Sequence, residues 1–305
     1  MLSRPNILVC SDFSPFSDQA IIAADKLANK TGGNLLVLHV SEVVLMWDWL
    51  PRDSSFLDEK YTTEIIKKQK EKLQVQLTKC GVKAEMEVKT GVPSQVINEE
   101  IFHRNTDLLV LGHKGKTGGH FHLGGTAEKM IASSSVPVLI VKQKFLTNKI
   151  AALIDPNGPM ERILNTAEEL SSLFSSAFEV ISLFPDILGR YLGAGRLGVS
   201  SKLFNLSEDQ KKEIITETTS TIKNLIDTHV KTHIRVEISN ERKIAYHLNS
   251  ILNEDRVNLV IMQRHNADFL EKILIGSETR RLLEIFEGNF YILPPSNQPI
   301  SDDLK

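Results

Sequence analysis

What most constrains this chain is that its apolar runs occur twice, in the same order. Ile7-Leu-Val-Cys-Ser-Asp12 and Ile150-Ala-Ala-Leu-Ile-Asp155 are each apolar and closed by an aspartate, 143 residues apart. Leu35-Leu-Val-Leu-His-Val40 is answered by Glu179-Val-Ile-Ser-Leu-Phe184 at an offset of 144. Lys83-Ala-Glu-Met-Glu-Val88 and His233-Ile-Arg-Val-Glu-Ile238 alternate as strands do, 150 apart, and Asp107-Leu-Leu-Val-Leu111 matches Asn258-Leu-Val-Ile-Met262 at 151. The offset only grows, and it grows between the runs, as expected of a duplication with loop insertions. The 305 residues are also about twice the roughly 150 of a common domain.

Helical patterns separate the runs. Ser17 to Lys30 carries Ala20, Ile21, Ala24, Leu27 and Ala28 near the 3.6-residue period and stops at Gly32-Gly33. Lys60 to Lys79 is long, amphipathic and rich in lysine; Ser94 to His103 begins with a serine suited to an N-cap; Thr126 to Ser133 is short and precedes a fifth strand, Val136-Pro-Val-Leu-Ile-Val141. The second half repeats the order with Glu161 to Ser176, Ser207 to Val230, Arg242 to Glu254, Glu278 to Phe286 and the strand Phe290-Tyr-Ile-Leu293. Strands alternating with helices predict an α/β fold: two tandem doubly wound domains, each a five-stranded, parallel-type sheet flanked by helices. The domains are expected at 1–146 and 147–305, joined through Lys144 to Asn148, with Pro294 to Lys305 as a polar tail.

Several classes of function recede on composition. Lysine and arginine number 36 against 38 aspartates and glutamates, a net charge of -2, so counterion release offers no drive toward nucleic acid. Cys10 and Cys80 are the two cysteines and lie in apolar or helical stretches. They read as small buried hydrophobes in a reducing compartment, not as a disulfide or zinc framework. Apolar runs of about six or seven residues are too short to cross a bilayer, and Met1-Leu-Ser-Arg-Pro-Asn6 lacks the regions of a signal peptide. The expectation is a cytoplasmic protein with no membrane partner.

In a doubly wound sheet, ligands bind outside the carboxyl ends of the strands. Those ends fall at Ser11-Asp12, at Val40 and at Leu111, where the chain opens into Gly112-His113-Lys114-Gly115-Lys116 and returns through Gly124-Gly125-Thr126 to a helix. Glycines at 112, 115, 118, 119, 124 and 125 let backbone N–H groups approach an anion, and Thr126 with the first amides of its helix forms a phosphate site backed by the helix dipole. Lys114 and Lys116 add charge to the loop. The alternative is a solvated connection whose glycines only permit turns. Two familiar motifs fail. Gly115-Lys116-Thr117 lacks the leading glycine of a P-loop, where Val110 stands, and no Gly-x-Gly-x-x-Gly follows the first strand.

The pattern that fits is Gly-x2-Gly-x9-Gly-Ser/Thr, met by Gly112, Gly115, Gly125 and Thr126. With the aspartate after strand one, Gly91-Val92-Pro93 before the third helix, the Asp107 strand and the Val136-Pro137-Val138 strand, the chain resembles the universal stress protein family. That resemblance implies a five-stranded α/β fold in which ATP-binding members lay adenosine across the strand ends. It places Ser11 and Asp12 at the adenine edge, Val40 in the adenine pocket, and Gly112, His113, Lys114, Gly115, Gly125 and Thr126 around ribose and phosphates, with ATP as ligand, alone or with magnesium. Two such domains in one chain look like the tandem members, whose halves pair much as separate subunits do; a homodimer of the whole chain stays open.

The second half departs at the loop. Gln263 and Asn266 stand where the leading glycines would, Asp268 and Glu271 add carboxylates, and Gly276-Ser277 and Asp155 persist. The expectation is one competent nucleotide site and one degenerate site (Asp155, Gln263, Asn266, Gly276, Ser277). His103, His113, His120 and His122 are too loosely placed for a metal site. Trp47 and Trp49, and the insertion 186–206 with Arg190 and Arg196, read as lids, partner surfaces or loops packed on their own domain. The lysines 67, 68, 70 and 72 read as a solvated face, and the apolar strand 136–141 needs a cover at its edge, which the last strand of the second half can supply. No positioned base, nucleophile or metal accompanies the loop, so binding outranks turnover. The expected function is an ATP-binding stress-response regulator; the alternatives are a nucleotide-independent interaction scaffold and a slow ATPase.

Overall fold

The computed structural model describes residues 3–42, 59–114, 123–155, 160–185, 207–226, 232–239, 244–264 and 277–295. The chain forms two compact units. The first holds β1 (Asn6–Cys10), α1 (Pro15–Thr31), β2 (Asn34–Ser41), α2 (Glu59–Cys80), β3 (Glu85–Thr90), α3 (Pro93–His103), β4 (Leu108–Gly112), α4 (Gly125–Ser133) and β5 (Val138–Val141). It also takes in Arg264 and the last strand of the chain, β10 (Asn289–Leu293). The second holds β6 (Lys149–Ile154), α5 (Met160–Phe174), β7 (Ala177–Pro185), α6 (Glu208–Leu225), β8 (Thr232–Ser239), α7 (Ile244–Glu254), β9 (Leu259–Gln263) and α8 (Ser277–Ile285).

In the first unit the strand order is β3-β2-β1-β4-β5-β10. All neighbours are parallel except β10, which runs antiparallel to β5 with Phe290 opposite Ile140 and Ile292 opposite Val138. The apolar edge at 138–141 is therefore covered. In the second unit the order is β9-β6-β7-β8, all parallel. The α/β class and doubly wound order expected from the repeats stand, although β10, expected as the fifth strand of the second half, lies in the first unit; β4 and β5 are largely buried, as unalternating apolar runs require.

Local signals explain the elements. Ser14 caps α1 by accepting from Ser17 N, Pro15 opens the helix, and Gly32 at φ 67 ends it. Ala20, Ile21, Ala24 and Leu27 form its buried stripe, and burying Leu27 alone contributes about 2 kcal/mol. At two starts the cap is not where the sequence suggests. Helix α3 begins at Pro93, and its cap position is Val92 without a side-chain bond, so Ser94 is not the N-cap. Proline supplies a preset φ and gives up an N–H that the helix start leaves unpaired anyway. Ser207 lies outside α6 as its cap, forming a reciprocal capping box with Gln210.

At the amino ends of the strands the units are built with different charges. In the first, Arg104 reaches Glu85 at 2.8 Å and Glu87 at 2.7 Å, while toward the carboxyl end of β3 Lys89 pairs with the buried Glu100. In the second, Glu179 is fully buried between Lys149 at 2.7 Å and His233 at 3.0 Å, while Arg235 meets Asp255 at 3.1 Å. Among the described residues, no helix is long and apolar enough to cross a membrane.

Candidate functional site

The carboxyl ends of β1, β2 and β4 come together in the first unit with the start of α4. After β1, the Ser11 hydroxyl bonds Gln76 Oε1 at 2.6 Å and accepts the Phe13 N–H at 3.1 Å, and its carbonyl meets His39 Nδ1 at 2.7 Å. Ser11 thus braces the turn internally. Asp12 Oδ1 accepts the Ser14 N–H at 3.0 Å, an Asx turn that holds the carboxylate at the strand end. Between them Phe13 takes φ 63, a left-handed conformation costing on the order of 1–3 kcal/mol in a non-glycine residue. Its ring rests 4.2 Å from the His39 ring, with Lys72 Nζ 4.2 Å from its centroid, and this packing holds the strained turn.

Val40 lies half-buried near the end of β2. Next to it, Gly91 N donates to Ser41 O at 3.1 Å, bringing Gly91-Val92-Pro93 to the same edge. Gly91 has φ 142, and a Cβ there would sit 2.9 Å from Val96 Cγ2, so the position needs glycine.

At the end of β4 the structure supplies a different reason for a glycine than access for an anion. A Cβ on Gly112 would lie 2.8 Å from the Phe16 carbonyl carbon and 3.0 Å from its Cβ; the first turn of α1 crosses the strand here. The buried His113 bonds Val141 O through its N–H at 3.0 Å and accepts from Gly124 N at 2.9 Å, and Lys114 O accepts from Ser14 Oγ at 3.3 Å. The two ends of the glycine loop are thereby stitched together and to the β1 turn.

Helix α4 then starts with Gly124 at the cap position and no side-chain cap bond. Among the described residues, a Cβ on Gly125 would meet nothing within 4 Å, so they leave the space beside this helix start open. Thr126 is half-buried in the first turn and Ala127 is buried. An uncapped helix N-terminus with open space and small residues suits an anion. Burial pushes the Cys10 thiol upward, consistent with an inert core cysteine.

The equivalent region of the second half is furnished differently. Asp155 follows β6 and is exposed; β9 ends at Gln263, with a side chain where Gly112 has none. Arg264 N bonds Leu293 O at 2.9 Å, as His113 N bonds Val141 O. Helix α8 begins at Ser277, and Glu278 in its first turn accepts the Ala245 N–H at 2.8 Å. Glu278 stands 151 residues after Ala127, so a carboxylate occupies the second half's helix start. Gly115, Lys116, His120, His122, Asn266, Asp268, Glu271, Gly276, Trp47, Trp49, Arg190 and Arg196 lie outside the described residues. His103 is exposed at the end of α3, whereas His113 is buried. Among the described residues no cluster of three His, Cys, Asp or Glu could hold a metal ion.

Sequence reasoning missed Glu278, which was legible as a carboxylate directly after Gly276-Ser277. It also missed Phe13, Phe16 and Gln76, whose roles depend on partners remote in sequence.

Residues 4–142 match the universal stress protein family. A universal stress protein of Methanocaldococcus jannaschii is 30% identical over 142 residues, covering 45% of this chain and 81% of that one. One from Synechocystis is 26% identical over 201 residues, 58% of this chain and 69% of its own. Among solved structures, a universal stress protein from Archaeoglobus fulgidus aligns with a TM-score of 0.67 at 15% identity, covering 95% of this chain and 98% of that one. A universal stress protein solved from Pseudomonas aeruginosa gives 0.61 at 16% identity, with 96% and 94% covered. At these identities the structures speak to fold alone.

Proposed function

The chain belongs to the universal stress protein family, and from that premise we propose that its first half binds an adenine nucleotide, ATP with or without magnesium, as a regulatory ligand in the cytoplasm. The observation that carries this reading is the start of α4: no side-chain cap, open space at Gly125, and small residues through Ala127. The amides of the first turn and the Thr126 hydroxyl would hold phosphate oxygens, with the helix dipole contributing about 0.3–2 kcal/mol. Asp12 and Val40, at the ends of β1 and β2, would contact the base. The residues 1–146 and 147–305 form a tandem pair in this reading, and the second has given up its phosphate site to Gln263 and Glu278.

Among the described residues, none is positioned as a base or nucleophile beside the phosphates, and in this reading the nucleotide acts as a signal and not as a substrate for efficient turnover. Titration calorimetry on the full chain tests the reading, with an expected stoichiometry of one ATP per chain. In Gly125→Val, where the new side chain starts in open space, ATP should bind ten-fold or more weakly, a loss of roughly 1.4 kcal/mol, with an unchanged thermal midpoint. Wild-type protein that ignores millimolar ATP would defeat the proposal and leave an interaction scaffold as the better account.

A further inference from the structure

We infer that Arg264 is a positioning residue for the first unit's anion site, holding helix α4 by its carboxyl end while the amino end meets phosphate. This rests on the nucleotide reading above and adds to it a residue far from the glycine loop in sequence.

Helix α4 has nine residues, too few to be stable alone in water. Its amino end has no side-chain cap, so its placement depends on packing and on its carboxyl end. There, Ser134 N takes the Met130 carbonyl at 2.8 Å and Ser133 Oγ takes the Lys129 carbonyl at 2.9 Å. The Ile131 carbonyl is one of the last four, which lack partners within a helix. Arg264 supplies the bond, donating from Nη1 at 2.7 Å.

Arg264 is itself fixed. It follows β9 directly, its N–H is held by Leu293 O at 2.9 Å, and the residue is only half-exposed. Burial pulls its guanidinium below the usual arginine value, which marks a cation taken partly out of water. A cation against the carboxyl end of a helix complements the dipole, and its hydrogen bond is charge-assisted. The position 151 residues earlier is His113, which makes the same kind of strand-end backbone bond. The second half therefore replaces a buried imidazole of the loop with a guanidinium that supports the first half's helix. Because α4 would touch phosphates while Asp12 and Val40 would touch the base, the effect should be confined to the phosphate part of the ligand.

The test compares full-length wild type with Arg264→Met, Arg264→Gln and Arg264→Lys, titrated with ATP and, by competition, with adenosine. The methionine and glutamine variants should bind ATP about five-fold more weakly, the scale of a charge at a helix end, with adenosine changed less than two-fold and lysine restoring most of the loss. Glutamine decides the matter if methionine fails to fold. ATP affinity unmoved in both variants, or ATP and adenosine weakened in proportion, overturns the inference while the nucleotide reading stands. Wild type that binds no ATP overturns both, so the two failures are told apart by the wild-type titration.

Discussion

Helices α4 and α8 start at corresponding places in the two halves, and their first turns are used in opposite ways. At α4 the cap is Gly124, a Cβ on Gly125 would meet none of the described residues and Ala127 is buried. At α8, Glu278 reaches out to accept the Ala245 N–H in the first turn of the neighbouring helix α7. A helix start can attract an external anion or be satisfied by the protein's own carboxylate. In the proposed reading the first half keeps the former option, whereas in the second a carboxylate from the first turn of α8 ties that helix to the start of α7. The same divergence runs through the far end of each sheet. Asn6, Leu35 and Lys83 in the first half correspond to Lys149, Glu179 and His233 in the second, where they form an ion cluster around a fully buried glutamate.

That cluster yields the largest expected effect. Replacing Lys149 by methionine leaves Glu179 buried with only His233 beside it, and stranding a buried charge costs about 3–5 kcal/mol. Urea unfolding should show the loss in the second unit, with residues of the first unit keeping their hydrogen-exchange protection. A cost below about 1 kcal/mol, the range of exposed pairs, would mean that Glu179 is hydrated and the contrast with Leu35 is shallow.

The two glycines of the first site should separate next. Gly112→Ala forces a Cβ against the Phe16 backbone and should cost about 1–3 kcal/mol of first-unit stability. Gly125→Val should leave stability nearly unmoved, since its Cβ meets no atom of the described residues within 4 Å. Equal thermal shifts in the two variants would remove the distinction between a packing glycine and an open one.

Glu278→Ala follows. Losing the bond to Ala245 N should cost the second unit about 1 kcal/mol, the usual worth of a helix cap. ATP stoichiometry should stay at one per chain, because the second half also lacks the leading glycines of the loop, with Gln263 and Asn266 in their places. A second equivalent of ATP appearing on this change alone would show that Glu278 by itself blocks the second site.

Much of this fold was legible because strands buried on both faces leave unmistakable apolar runs, and β4, β5 and β9 are such strands. The repeated order followed from those runs, and the edge Val138–Val141 announced its need for a cover. Helix starts were less legible, since Pro93 and Ser94 both carry start signals and only the backbone chooses between them. The site divides in the same way. Residue types at 112 and 263, and at 127 and 278, already contrast the halves, but the reason for glycine at 112 is the passage of Phe16. Likewise the use of Glu278 and Arg264 depends on Ala245 and Ile131. Periodicity and spacing report what a residue is; they do not report which distant backbone it will meet.

The smallest expected effect lies in the ion pairs of β3 and β8. Lys89 on β3 corresponds to Ser239 on β8, 150 residues later. Lys89 bonds Glu100 and its pKa is raised above 10.5, chiefly by that hydrogen bond, whereas Ser239 bonds His247 at 2.8 Å. A group whose pKa is raised on folding stabilises the folded state fully below its unfolded value and loses that contribution as pH climbs through the folded value. The first unit should therefore weaken above about pH 10.5 in a way that Lys89→Gln abolishes. The amplitude should be small, because the Lys89 side chain is 37% exposed and solvent screens the pair. Unfolding midpoints of wild type and Lys89→Gln between about pH 9 and 11.5 should converge as pH rises. A gap that stays constant over that range would show that Lys89 acts on Glu100 through packing of its stem and not through its charge.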